Sequence, residues 1–369
     1  MRRTSSVLRV GLLASVFAFV ACAPSVANRG PRSTDENVAP SPTSSNVSTS
    51  NEPSASPAPS APVEATPEPS NVPPSEASAV AEPTSSVADA LCSCLTGTQG
   101  SYRFRAERTG TLPEEIPEAS GMVTSRFDDA IFWTHNDSGH AAELFAVHED
   151  GTLVARVALD VEALDLEDLA AGPCGRGDEE RACLYVGDFG DNDQSRPSVQ
   201  VHRLREPDPR GAVPMRSAVE SMDLVYPDGA RDTEAMVVDA SGVVWLFTKR
   251  PPHGRFRLYS APFRPGERVT LTAQGEVSLR ALGMLAGMSL FTAADLHPRC
   301  GVMVGAYYRG MLAARVDPAN LGALVDAPLE AFPAGHELQN ETVAFTRDGY
   351  RFVSEGVGAS IQRFRCWPR

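Results

Sequence analysis

The sequence carries no Gly-x-Ser-x-Gly elbow, no P-loop and no Gly-x-Gly-x-x-Gly fingerprint. Elbow hydrolases, P-loop nucleotide hydrolases and dinucleotide-binding oxidoreductases therefore have no motif support. A long apolar run is also missing: the stretch from 11 to 20 is about half of what a helix needs to cross a bilayer. No Cys-x-x-Cys pair and no histidine pairing at ligand spacing marks a zinc finger. No sustained 3.6-residue apolar pattern marks a helical domain, and only residues 161–169 suit a single helical turn. Residues 23–90 contain no Leu, Ile, Met, Phe, Tyr or Trp. Such a segment has too little apolar surface to offset chain entropy and is expected to be disordered. Positive charge is scarce, with 33 Lys and Arg against 47 Asp and Glu. The formal charge is −14, and −17 once Arg2, Arg3 and Arg9 leave with residues 1–21. That balance argues against nucleic acid and anionic membrane surfaces as partners, and it suits cations or basic ligands.

What is present begins with an export signal. Arg2, Arg3 and Arg9 precede the apolar run, which ends Phe19-Val-Ala-Cys22. That ending resembles a bacterial lipobox, which implies lipidation of Cys22 and, with Ala23 after it, sorting to the outer membrane. The alternative is an ordinary signal peptide with a chance cysteine. Residues 22–90 then form a tether of roughly 45 Å average reach, and residues 91–369 form the folded domain. Any membrane contact is expected through this anchor alone. The chain has seven cysteines, and six remain after Cys22. An even number suits disulfides in an exported protein. Cys174 and Cys183 flank a short polar loop and are expected to pair. Cys92 and Cys94 are too close to bond each other, so they are expected to reach Cys300 and Cys366, one bond tying the chain ends together. A zinc site is the alternative.

A phrase recurs along the folded region: a carboxylate before a small or apolar run, a turn, an aromatic-rich strand, then a polar loop. It reads Glu118-Ala-Ser-Gly then Phe132-Trp-Thr-His-Asn-Asp-Ser-Gly; Glu167-Asp-Leu-Ala then Leu184-Tyr-Val-Gly-Asp-Phe-Gly-Asp-Asn; Glu234-Ala-Met-Val then Trp245-Leu-Phe-Thr-Lys; Thr292-Ala-Ala-Asp then Met303-Val-Gly-Ala-Tyr-Tyr-Arg; and Glu341-Thr-Val-Ala then Arg351-Phe-Val-Ser-Glu-Gly. Repeats of that size made of short strands and turns predict an all-β propeller of five blades, or six if the N-terminal segment adds one. Turn signals at Glu149-Asp-Gly, Asp239-Ala-Ser-Gly and Arg347-Asp-Gly support the strands. The alternating segment from Ser101 to Arg108 is expected to complete the last blade. Trp133, Tyr185, Trp245 and Phe352 occupy equivalent strand positions and are expected in the core.

In a blade the innermost strand starts on the upper face and the second strand ends there. This gathers Glu118, Glu167, Glu234 and Glu341 on one rim with Asn136, Asp137, Asp188, Asp191, Asn192, Lys249, Arg309 and Glu355. Thr292 interrupts the glutamate series. Crowded carboxylates raise one another's pKa, so the four glutamates are candidate acids or bases. The alternative is that each fixes inter-blade register by accepting backbone hydrogen bonds. His135 is a candidate base beside Asp137, or else a hydrogen-bonded structural group. Asp137, Asp188, Asp191 and Asn192 offer the oxygen ligands calcium takes, although such residues equally cap turns. Asn136, Lys249, Arg309 and Glu355 are candidate ligand contacts, the two cations either for an anion or as partners of the excess carboxylates.

These residues resemble a family of bacterial secreted propellers, mostly of unknown function. The resemblance rests on Trp133-Thr-His-Asn-Asp-Ser-Gly, Glu167-Asp-Leu-Ala, Tyr185-Val-Gly-Asp-Phe-Gly-Asp-Asn, Tyr226-Pro-Asp-Gly and Asp232-Thr-Glu-Ala, and spans roughly 110–366. More distantly it is similar to calcium-binding phytase-like and lactonase-like propellers. Asp165-Leu166 departs from the family's Asp-Trp, and the fourth repeat is loose. Two functions remain open at this level: an envelope lipoprotein whose acidic face binds a small molecule, glycan or protein, with calcium as the implied cofactor, or a metal-assisted phosphoester or lactone hydrolase with a rim carboxylate as base. A monomer is expected.

Overall fold

The computed structural model describes residues 91–95, 102–175, 181–212, 214, 216–249, 254–279, 290–308, 310–332, 340–353 and 356–368. The chain divides between Ser75 and Glu76, and every described residue lies in the second unit. The signal at 1–21, Cys22, the linker to 90, Arg309 and Glu355 lie outside the described residues.

Period-2 alternation explains the architecture. In the strand Cys183–Asp188, Cys183 and Tyr185 face one neighbouring sheet while Leu184 and Val186 face the other. In Val243–Thr248, Val244 and Leu246 pack on one side and Trp245 and Phe247 on the other. A sheet apolar on both faces must be covered on both faces, and radial repetition of the sheet achieves that. Among the described residues five sheets with antiparallel cores result, with five apolar clusters, one at each seam of the ring. The inner strands of blades one to five are Ala119–Thr124, Leu166–Gly172, Thr233–Val238, Phe291–His297 and Ala344–Thr346. The expected aromatic positions are all buried: Trp133, Tyr185, Trp245 and Phe352.

The N-terminal segment adds a strand, not a sixth blade. Tyr102–Thr111 pairs antiparallel with Ser360–Pro368, so the outermost strand of blade five comes from the start of the domain. Two short strands lace neighbouring blades: Arg216–Ser217 runs parallel to the edge of blade one, and Arg268–Thr270 parallel to the edge of blade two. Both cover otherwise open sheet edges. Residues 161–169 form no helical turn; Leu166–Gly172 is the inner strand of blade two. Among the described residues the helical structure includes a short helix at 91–95 and a 3-10 helix, Leu321–Asp326, capped by the Asn320 side chain.

All six cysteines pair as disulfides: Cys174 with Cys183, Cys92 with Cys300 and Cys94 with Cys366. The zinc alternative falls with them. The last two close sequence separations of 208 and 272 residues, so they remove much of the unfolded chain's freedom. At the seam between blades five and one, the buried Arg351 and Arg363 share Glu149 at 3.0 and 2.6 Å, and Arg363 also reaches Asp129 and Asp348.

The centre of the ring is held by Asp168, which is 1% exposed. Its carboxylate accepts backbone N–H groups from Leu169 at 2.8 Å, Met236 at 2.8 Å and Ala294 at 3.3 Å, tying blades two, three and four together. Asp295 repeats the device, accepting from Leu296 and from Phe345 of blade five, both at 2.8 Å. Replacing Asp168 by Ala leaves three buried N–H groups without that acceptor, each costing about 1–3 kcal/mol. Asp168→Ala is therefore expected to lose about 3 kcal/mol or more in urea unfolding, and an unchanged midpoint would refute the axial role.

Candidate functional site

The upper mouth of the channel is built from the starts of inner strands and the ends of second strands. In blade two the pairing of Leu166 with Asp188 is followed by a bulge before Leu169 pairs with Val186. That extra residue separates the fates of two neighbours: Asp168 goes to the axis, and Glu167 goes to the mouth. Glu167 lies beside Asp165 and beside Asp137 from the loop after the second strand of blade one, their carboxylate oxygens within 4.8 Å of one another. Glu167 is 2% exposed, whereas Asp137 and Asp165 are half-buried. Among the described residues, none donates a hydrogen bond to the Asp165 or Glu167 side chain.

Blade three adds Glu234, which is ion-paired with Lys249. Lys249 is the only lysine in the sequence. Its backbone is fixed on both sides, donating to Asp232 and accepting from Phe291. Burial, then the charges of Glu234, Asp137 and Asp165, hold the Glu167 carboxyl well above the usual range. Burial pushes Glu234 up to about 8 against the opposing pull of Lys249. Burial, then Asp137, pushes Asp165 up to about 6. Burial lowers Lys249, but the ion pair and hydrogen bond with Glu234, together with Tyr308 and Glu167, raise it on balance.

The remaining sequence-derived candidates separate. Glu118 does not join the cluster: its side chain is 46% exposed and pairs with His140 at 3.5 Å. Ser120 is the inner-strand residue whose hydroxyl bonds the Glu167 carbonyl, as Thr292 bonds the Asn340 carbonyl. Glu341 is buried at the start of blade five, its carbonyl facing the Gly121 N–H. Gly121 stands in the bulge of blade one at φ +66, and a Cβ there would meet the Leu169 nitrogen at 2.5 Å, so the approach of blade two requires glycine. Asn136 turns inward on its own loop, donating to the Glu115 carbonyl and accepting from Glu118 N–H. His135 is fully buried, with Nδ1 2.9 Å from the Asn136 carbonyl, and burial pushes its pKa down to about 4. It therefore stays uncharged and makes a poor base near neutral pH.

Asp188 and Asp191, also expected among the calcium ligands, are engaged with protein donors. Asp188 accepts the N–H groups of Leu164 and Asp165 and pairs with Arg196 at 3.0 Å. Asp191 accepts from Ser195 and Arg196, both at 2.9 Å, as a turn cap. Asn192 is exposed. The loop shapes the mouth: Gly190 packs so closely that a Cβ would come 2.2 Å from Glu167 Oε1. Asp165 was missed by the sequence analysis. A signal was available, since Asp-x-Glu occurs at 165–167 and again at 232–234, each ending on a glutamate of the mouth.

No family model matches the chain, and no curated protein matches it. Among solved structures it is similar to a gluconolactonase from Xanthomonas campestris, at 9% identity over 72% of this chain and 90% of that one, TM-score 0.40. It is likewise similar to a glucose dehydrogenase, at 8% identity over 70% and 98% of the two chains, TM-score 0.40. At that level nothing about activity is carried over from either.

The raised carboxylates fix a pH dependence. Asp165, Glu167 and Glu234 bind protons more readily folded than unfolded, so stability falls as pH rises from their ordinary range through about 6 for Asp165 and about 8 for Glu234. In chelator, urea midpoints taken from about pH 5 to about pH 9 are expected to drop across that window. A flat profile would mean that the cluster ionises without repulsion.

Proposed function

We propose that the upper mouth holds a divalent cation and that the protein is an envelope propeller that binds a ligand or partner through it. The Glu167 carboxylate carries this reading: it is almost wholly buried, takes no hydrogen bond from a described residue and sits against two further carboxylates. Like charges so placed repel and lose hydration, and a cation relieves both costs. An all-oxygen donor set suits calcium before the softer transition metals. Asp137, Asp165 and Glu167 are the residues that would hold it. When bound, such an ion neutralises charge and polarises a ligand oxygen. Half-buried Asp137 and Asp165 leave the solvent side of the cluster for ligand oxygens, and Lys249 stands beside it. The export signal and Cys22 support placement in the cell envelope, and the three disulfides suit an oxidising compartment.

Metal-assisted hydrolysis of an ester or lactone is the second reading, favoured by the Glu234–Lys249 pair beside the three carboxylates. Glu234 would serve as the rim base and Lys249 would steer an anionic or carbonyl oxygen. The surplus of carboxylates disfavours heavily phosphorylated substrates.

Calcium added to the chelator-treated full chain at about 100 Kd is expected to stabilise it by about 2.7 kcal/mol, or about 5–10 °C in Tm. Glu167→Gln is expected to raise Tm in chelator, since it removes a repelling charge that no described group bonds, and to abolish the gain from calcium. Absence of a shift with calcium, magnesium, manganese or zinc would sink the cation reading. Cation-dependent turnover of a lactone panel, lost in Glu234→Gln, would decide for the hydrolase.

A further inference from the structure

The lower mouth of the channel, formed by the ends of the inner strands, has the opposite character. A cavity of about 220 Å³ lies there between blades one, two, four and five. Arg126, Arg181, Arg299 and Arg347 open onto it, with His297 and Phe345. The sequence is strongly acidic overall, so this gathering of arginines is not set by composition. The nearby carboxylates are already engaged. Asp295 is bonded by Arg181 at 2.8 Å and by the Phe345 N–H. Glu206 accepts from Ser125 at 2.6 Å and Trp133 at 3.0 Å, with Arg126 alongside at 3.7 Å. Asp129 takes Arg363 at 2.7 Å and the backbone N–H of Arg347 at 2.8 Å. The guanidinium groups of Arg299 and Arg347 have no carboxylate partner among the described residues.

Other features of the cavity point the same way. His297 Nδ1 faces the N–H groups of Arg299 and Cys300, so it accepts, and the ring proton lies on Nε2. Phe345 packs edge-on against that ring at 5.2 Å and gives the cavity an apolar wall. The Thr124 hydroxyl, on the same lining, is buried with no hydrogen-bond partner among the described residues. Next to the cavity residue Arg126, Phe127 is 41% exposed, with the Arg126 guanidinium 4.2 Å above its ring. Arginine forks match carboxylate and phosphate oxygens, and an aromatic wall suits an organic body.

We propose that the lower mouth is a second ligand site, for a small organic oxyanion, separate from the acidic mouth above. Arg299 and Arg347 take the oxyanion oxygens, and the ligand body lies against Phe345.

The test uses the full chain at constant ionic strength, with inorganic phosphate, phenyl phosphate and benzoate as probes and chloride as the reference. At least one probe is expected to bind by calorimetry and raise Tm above chloride. The expected loss is about tenfold in affinity for each of Arg299→Gln and Arg347→Gln, which remove no ion pair and so leave the fold intact by circular dichroism. Tighter binding of phenyl phosphate than inorganic phosphate supports the aromatic wall. Binding of benzoate without phosphate identifies a carboxylate, and the reverse identifies a phosphate. The proposal is overturned if no probe exceeds chloride, if the arginine variants bind unchanged, or if Lys249→Gln abolishes binding while the arginine variants do not, which would place the anion at the upper mouth.

Discussion

One buried carboxylate ties the inner strands of three blades together. Asp168 stands on the axis and accepts backbone N–H groups from blades two, three and four. A propeller's inner strands meet edge to edge at a narrow channel, where their first pairing partner lies only on the outward side. A single carboxyl acceptor at the centre satisfies several of these groups at once, and Asp295 extends the pattern to blade five. Burial raises the Asp168 carboxyl well above its usual range, with the three N–H groups pulling the other way. The closure of the ring by Tyr102–Thr111 and the two long-range disulfides act on the periphery, and these two acids act on the hub.

The site depends on the same strand. Glu167 and Asp168 are adjacent, and a bulge sends one to the mouth and the other to the axis. Their environments differ in what faces them. Asp168 meets backbone donors, whereas Glu167 meets Asp137, Asp165 and Glu234, with Lys249 as the opposing charge. A carboxylate surrounded by donors serves the fold. One surrounded by carboxylates costs stability, and that cost is what makes the upper mouth a functional candidate. The lower mouth inverts the arrangement: carboxylates there are paired with arginines, and Arg299 and Arg347 have no carboxylate partner among the described residues.

Some of this was legible in the residues. The repeat spacing and the aromatic positions implied a propeller because each blade must bury both faces with a period of two. Asp239-Ala-Ser-Gly242 marked a turn, and there the Asp239 carboxylate accepts from Ser241, Val243 and Trp245. Other residues take partners that spacing alone does not reveal. Asp188 and Asp191 have the composition of a calcium loop, yet Arg196 and the loop's own amides absorb their charge. Glu118 shares the repeated phrase with Glu167, but it lies just ahead of its strand, outside the mouth, and reaches solvent.

The sequence by itself determined the all-β repeat, the core aromatics, the Cys174–Cys183 pair and the acidic bias of the surface, because local periodicity, turn chemistry and counting depend on neighbours along the chain. Only the tertiary structure decided which carboxylates meet. Asp137, Asp165, Glu167, Glu234 and Lys249 come from three blades, and their company is set by strand register, the bulges at Glu167 and Glu234 and the close approach of Gly190. The charge of an Asp is written in the sequence. Whether it faces an amide, an arginine or another Asp is settled when the ring closes.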